Sequence, residues 1–172
     1  MKKVILSAVA ILAFGFANAQ DSKSITFGAK AGFAALSAEA KFMGASATTT
    51  DSGFFVGGFA EIAISESFGF KPELLYVAVG DLNQIQVPLH ATYEIAKGFG
   101  LLAGPNVSFI TDAEEGTKSL NYGVDFGASY DITENLVVDA RYNLGLANLV
   151  EDGDSDNSLR LSGFYVGVGY RF

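Results

Sequence analysis

Past residue 20 the chain carries no sustained helical period of 3.6, but hydrophobic alternation of period two returns eight times. Gly, Asp, Asn and Ser bound each segment, so the reading is eight strands near residues 24–36, 53–64, 68–79, 83–94, 98–109, 120–131, 136–148 and 159–172. These segments are longer than the usual globular strand of about five or six residues. They match the roughly 9–11 residues that a tilted strand needs to cross a bilayer. That length, repeated eight times, is what most restricts the possible folds.

On each strand one alternate set is free of charge: Phe27, Ala29, Ala31, Phe33 on the first; Val56, Gly58, Ala60, Ile62, Ile64 on the second; Phe164, Val166, Val168, Tyr170, Phe172 on the last. The connections alternate too. Those around Ser65-Glu66-Ser67, Ala96-Lys97 and Thr133-Glu134-Asn135 are tight, whereas 37–52, 110–119 and 149–158 are long. The remaining one, Gly80-Asp81-Leu82, is short. Short inner turns and longer outer loops in this parity are the signature of a barrel inserted from one side of a membrane. The expected fold is all-β: an eight-stranded, antiparallel, up-and-down transmembrane β-barrel. The first loop, Ser37 to Ser52, is Ala-, Ser- and Thr-rich and is expected to be mobile.

The only continuous apolar run is N-terminal. Lys2 and Lys3 precede Val4 to Ala17, and Ala17-Asn18-Ala19 forms an A-x-A cleavage site. The run is too short for a spanning helix, which takes about 20 residues. Residues 1–19 are therefore expected to be a removed signal peptide, and 20–172 an outer-membrane barrel domain. Cleavage takes two lysines from a chain whose formal charge is −8, leaving the mature chain more acidic still. That charge speaks against nucleic acid as a partner, since its binders carry basic stripes. The absence of cysteine excludes a disulfide scaffold, a thiolate metal site and a cysteine nucleophile.

A soluble barrel would bury the same apolar set and turn the other one to water. Three features favour the inside-out arrangement. The opposite set is poor in charge and rich in glycine, as in Gly28, Lys30, Gly32 and Tyr165, Gly167, Gly169, Arg171. Tyr and Phe recur near strand ends (Phe68, Tyr76, Tyr93, Tyr122, Tyr130), where interfacial girdles sit. The chain also closes on Val168, Tyr170 and Phe172 spaced by two.

The segments Gly28-Ala29-Lys30-Ala31-Gly32, Pro72-Glu73-Leu74-Leu75-Tyr76 and Ala140-Arg141-Tyr142 with Gly145-Leu146 resemble the small porin-family outer-membrane β-barrel proteins of Bacteroidota. The closing Gly167-Val168-Gly169-Tyr170-Arg171-Phe172 is similar to the C-terminal signal read by the outer-membrane assembly machinery. The likeness extends over essentially the whole mature chain and implies an OmpA-type transmembrane barrel in the bacterial outer membrane, without a peptidoglycan-binding domain after it. Pro72, Pro88 and Pro105 fall inside expected strands; because a closed barrel has no edge to excuse a missing N–H, bulges or strand ends are expected there.

The inward set holds Lys30, Glu61, Lys71, Glu73, His90, Glu94, Asp125, Asp139, Arg141 and Arg171, with Gln84, Gln86, Asn106 and Asn143 between them. An eight-stranded interior is just wide enough for side chains to fill. The expectation is a salt-bridged plug centred on Lys71, Glu73 and Arg141. His90 is the sole histidine, and neither Ser108 nor Ser129 forms a local motif with it, so no catalytic residue is expected. Asp152, Asp154 and Asp156 match the first ligand positions of a Ca²⁺ loop. The match fails at Asn157, where the turn glycine belongs, and at Gly163, where the bidentate glutamate belongs, so no metal and no cofactor are expected.

The expected role is structural or surface-interacting through the outer loops, in a monomer surrounded by outer-membrane lipid and lipopolysaccharide. A narrow porin for ions or small solutes, and a lipid-A-modifying or proteolytic barrel enzyme, are the other readings.

Overall fold

The structure is a computed structural model that describes residues 25–43, 45–111, 116–150 and 157–172. Eight strands follow one another: β1 (Ile25–Phe42), β2 (Ala45–Ala63), β3 (Phe68–Val79), β4 (Leu82–Ala96), β5 (Phe99–Ile110), β6 (Leu120–Asp131), β7 (Leu136–Gly145) and β8 (Asn157–Arg171). Each pairs antiparallel with its sequence neighbours, and β8 closes on β1 from Gly28↔Arg171 to Phe42↔Asn157. Closure leaves the membrane-spanning part without an edge, so its backbone polar groups pair across neighbouring strands of the wall. The expected signal peptide and the Asp152, Asp154, Asp156 triplet lie outside the described residues.

Alternation sorts the side chains. Val56, Tyr76, Val87, Leu101, Val124, Phe126, Leu144, Phe164, Val166 and Val168 stand exposed on the outer wall, while their chain neighbours point into the barrel. Near the ends of the strands the exposed set turns aromatic, with Phe68, Tyr93, Phe99, Tyr130 and Tyr170 towards the short-turn end. Ile25 and Phe172 lie at that end also; the Phe172 N–H donates to the Phe27 carbonyl at 2.9 Å. The turn from β4 to β5 is closed by Gly98, whose φ of +76° lies in the left-handed region that an L side chain enters only with strain.

Three features differ from the sequence expectation. The segment 37–52 is not a loop: β1 and β2 continue through it in unbroken register from Ser37↔Thr50 to Phe42↔Ala45, and Ser37 Oγ lies 2.8 Å from Thr50 Oγ1. Both faces of this part of β2 are exposed, so no apolar period marks it in the sequence. β8 rises beside β1, whereas β3 begins to pair with β2 only at Gly53↔Val79. A three-stranded sheet β8–β1–β2 therefore stands above the rest of the wall.

The prolines, second, cause neither bulges nor strand ends. The ladder skips the pairs around each one: between Phe59↔Glu73 and Ile62↔Phe70 near Pro72, between Pro72↔Leu89 and Leu75↔Gln86 near Pro88, and between Pro88↔Asn106 and Ala91↔Ala103 near Pro105. In all three places the register resumes unshifted. A missing N–H thus costs local ladder bonds and leaves the alignment of the strands intact. The register shift in the β4–β5 pair lies elsewhere, between Glu94 and Ala96.

Third, β7 ends at Gly145, short of residue 148. The chain then turns Ala147 and Leu149 inward. With Leu36, Val77, Val79, Ile110 and Leu161 they make an apolar cluster filling the loop-side half of the lumen.

Candidate functional site: a charged plug in the lumen

The middle of the lumen is occupied by charge. Lys30 on β1 donates from Nζ to both carboxylate oxygens of Glu73 on β3 (3.1 and 3.2 Å) and to Asp139 Oδ2 on β7 (2.7 Å). Arg141, two residues along β7, donates from its guanidinium to Glu73 Oε2 at 2.8 Å and lies 3.5 Å from Asp125 Oδ2 on β6. The spacing of two along β7 puts Asp139 and Arg141 on the same inward face, so a single strand delivers one charge of each sign to the network.

Asp125 is the second hub. It accepts from Asn106 Nδ2 at 3.0 Å and Asn143 Nδ2 at 2.6 Å, and faces His90 Nε2 at 2.9 Å. The other ring nitrogen of His90 lies 3.9 Å from Glu73. Lys71 joins Glu73 (4.0 Å) to Glu61 (3.1 Å), and Glu61 receives Arg171 Nε at 2.6 Å. Arg171 also donates to Asp131 at 2.8 Å. The charges thus run as a chain of alternating sign from the middle of the barrel to the short-turn mouth.

Lys30, Lys71, Glu73, His90, Asp125, Asp139 and Arg141 are all buried, and His90 and Asp125 have no solvent exposure. Glu61 and Arg171 are half-buried where a cavity of about 330 Å³ opens at the short-turn end. Glu94 does not join the network. It is exposed, it borders that mouth, and its carboxylate accepts from the N–H of Gly98 in its own turn at 3.2 Å. Glu94 keeps the inward phase, since Glu94↔Gly100 continues the register of Thr92↔Leu102 and the shift follows only after it.

Aromatic rings flank the charges; the sequence reading put Tyr165 on the inward face and missed Phe55 and Phe59. Lys71 Nζ sits 4.3 Å from the Phe59 ring centre, and the Arg141 guanidinium 4.7 Å from that of Tyr165. Phe55 lies 5.7 Å from both Lys30 and Arg141. Tyr165 also accepts from Gln86 Nε2 at 2.6 Å. The lumen is therefore not lined by small residues throughout: glycines on β1 and β8 face Phe55 and Phe59 of β2. The signal was present in Phe55 and Phe59 standing on the same phase as Glu61, opposite the glycines of the neighbouring strands.

Chemically the arrangement neutralises and fills. His90 is fixed by Asp125, and among the described residues neither Ser108 nor Ser129 hydrogen-bonds to it. Among the described residues no group of three or more His, Asp or Glu side chains is placed to hold a metal ion.

Residues 6–172 match the outer membrane protein beta-barrel domain family. No curated protein matches the chain. Among solved structures, it is similar to Neisserial surface protein A (21% identity, covering 88% of this chain and 100% of that one, TM-score 0.51). It is similar also to Ail, the attachment invasion locus protein of Yersinia pestis, solved in complex with the heparin analogue sucrose octasulfate (16% identity, 87% and 99% covered, TM-score 0.52). At such identities the likeness establishes the fold. With the family match running over nearly its full length and a closed eight-stranded wall that is apolar outside, this chain belongs to the outer-membrane protein β-barrel domain family of the bacterial outer membrane.

Proposed function

We propose that the protein is a non-conducting, non-enzymatic barrel whose working part is the surface it raises above the membrane. The observation that carries this reading is the filled lumen. An apolar cluster occupies the loop-side half and a paired charge network the middle, so a hydrated ion would have to displace packed side chains to pass. Among the described residues the catalytic alternative finds no nucleophile beside His90, whose neighbours are Asp125 and Glu73. The surface reading is supported by the raised β8–β1–β2 sheet, with Phe42 and Met43 exposed at its tip. Attachment, which the name of Ail carries, is the role this shape suits.

Planar-bilayer recording tests the proposal. The purified protein is expected to give no reproducible conductance steps; steps that change on Glu73→Gln would overturn the plug and establish the porin reading. Lipid A mass spectra from cells with and without the protein are expected to be identical.

The remaining sequence expectations complete the proposal: export by residues 1–19, a relationship to the Bacteroidota proteins through the Pro72–Tyr76 segment, monomers among lipopolysaccharide and lipid, and recognition of Val168, Tyr170 and Phe172 by the assembly machinery. Those three side chains all point outward, and Phe172 is 78% exposed, open to such a reader. Deleting Phe172 is expected to reduce the heat-modifiable, folded band in outer-membrane fractions severalfold; unchanged assembly would remove the role assigned to it.

A further inference from the structure

At the loop-side rim the ladder beside β6 opens. Pairing of β6 with β7 stops at Gly123↔Gly145, and pairing of β7 with β8 at Asn143↔Gly163. Beyond Gly145 the chain no longer follows β6 rung by rung. Leu146 and Ala147 both donate to the Tyr122 carbonyl, and the next contact is from the Lys118 N–H to the Leu149 carbonyl. Asn148, between them, is engaged with β8: its side chain accepts from the Leu159 N–H at 3.1 Å and donates to the Asn157 carbonyl at 3.3 Å.

Leu120 bears the consequence. Ile110 donates to the Ser119 carbonyl, so hydrogen-bonded pairs of β5 and β6 alternate from there, and Phe109↔Leu120 is a non-bonded pair. The N–H and C=O of Leu120 therefore point away from β5 into the opening, where they have no partner among the described residues. A cavity of about 480 Å³ lies there, lined by Lys118, Ser119, Leu120, Tyr122, Ala147 and Asn148.

The lining is amphiphilic. Lys118 is its charged residue; it is exposed and forms no ion pair among the described residues. Ala147 is buried, while Leu120 and Tyr122 stand about half exposed on the outer wall. Val124 and Leu144, paired and also exposed, continue that apolar surface down towards the middle of the membrane. Open backbone groups beside lipid are costly, so this rim calls for a partner that both accepts and donates.

We propose that this notch seats the phosphorylated sugar headgroup of an outer-leaflet glycolipid. A phosphate gathers several acceptor oxygens at one point, for the Lys118 ammonium and the Leu120 N–H. Sugar hydroxyls donate to the Leu120 carbonyl, and the acyl chains lie down the wall over Tyr122, Val124 and Leu144. Water alone would leave the lysine and the apolar surface unused, and a free phosphate would leave the apolar surface unused. The seat rests on the placement of the wall in the membrane and is independent of the filled lumen and of attachment.

The probe is bisphosphorylated lipid A, titrated against the full barrel in maltoside micelles, which carry no phosphate. EDTA is present throughout, which removes any lipid bridged to carboxylates by a divalent cation. Native mass spectrometry reads the bound lipid, and NMR reads the Leu120 amide. One retained lipid per barrel is expected, with a shifted Leu120 signal. Lys118→Gln is expected to weaken binding about fivefold, the worth of one lysine at a membrane surface. Lys118→Arg is expected to restore it, and Lys97→Gln, in the turn at the opposite end of the barrel, to leave it unchanged.

Equal binding of lipid A stripped of both phosphates, or undiminished binding by Lys118→Gln, would overturn the phosphate contact. Retained lipid with an unmoved Leu120 amide would place it elsewhere on the wall and overturn the notch. Displacement by inorganic phosphate would reassign the site to a free anion. No retained lipid would leave Leu120 to water and overturn the seat, with the filled lumen untouched.

Discussion

Replacing Glu73 by alanine is expected to lower the stability of the folded barrel by about 3–5 kcal/mol, the cost of stripping one partner from a buried ion network. Glu73 accepts from Lys30 and Arg141 and lies within 4.0 Å of Lys71 and His90. Without it, Asp139 still holds Lys30, but Arg141 keeps only Asp125 at 3.5 Å, and three cations are left close together in a dry interior. An exposed pair gives the contrast: Glu39→Ala, which removes the 3.3 Å contact with Lys41 on the raised sheet, is expected to cost no more than about 1 kcal/mol. Urea unfolding in lipid vesicles, followed by far-ultraviolet circular dichroism, measures both. A Glu73→Ala loss equal to that of Glu39→Ala would show that the lumen charges are solvated and that the plug is open to water. In a double-mutant cycle, Glu73→Ala with Arg141→Ala is expected to cost clearly less than the sum of the single changes, because each removes the other's counter-charge.

The second large effect concerns the aromatic filling. Phe55 is buried inside the barrel, edge-on to Tyr165 with ring centres 6.0 Å apart. Phe55→Ala is expected to cost about 3–5 kcal/mol through the cavity it opens. Gly167 on β8 supplies the space for that ring: a Cβ placed there would lie 2.6 Å from the tip of Phe55. Gly167→Ala is accordingly expected to destabilise by about 1–3 kcal/mol by overpacking. The far end of a side chain is the obstacle at this position, so combining Gly167→Ala with Phe55→Leu is expected to recover part of that loss. Purely additive costs would mean that the β8 glycine serves the closure of the backbone and not the seat of the ring.

Much of this fold is legible in the chain because strand periodicity is a local property. Period two over spans long enough to cross a bilayer determines which side chains share a face. The parity of short and long connections then determines which end carries the turns. Seven of the inward charges, from Lys30 to Arg141, follow from that alternation alone. At the ends of the wall the rule says less. Glu94 has the inward phase but stands exposed at the mouth, apart from the network, and the water-exposed extension of β1 and β2 has no apolar period to announce it. Proline misled in the other direction, since a gap in the ladder satisfied what a bulge was expected to satisfy.

By itself, then, the sequence determined a closed wall, apolar outside and mixed inside, since alternation and strand length are written residue by residue. Tertiary structure decided which charges meet. Pairing Lys30 with Glu73 and Asp139, or His90 with Asp125, depends on how eight strands stagger around the barrel, a sum over every register that no single segment records. It also decided that Phe55 and Phe59 lie inside against glycines, and that β8, β1 and β2 run on past β3 into a raised sheet. Both are relations between strands, and they exist only once the barrel has closed.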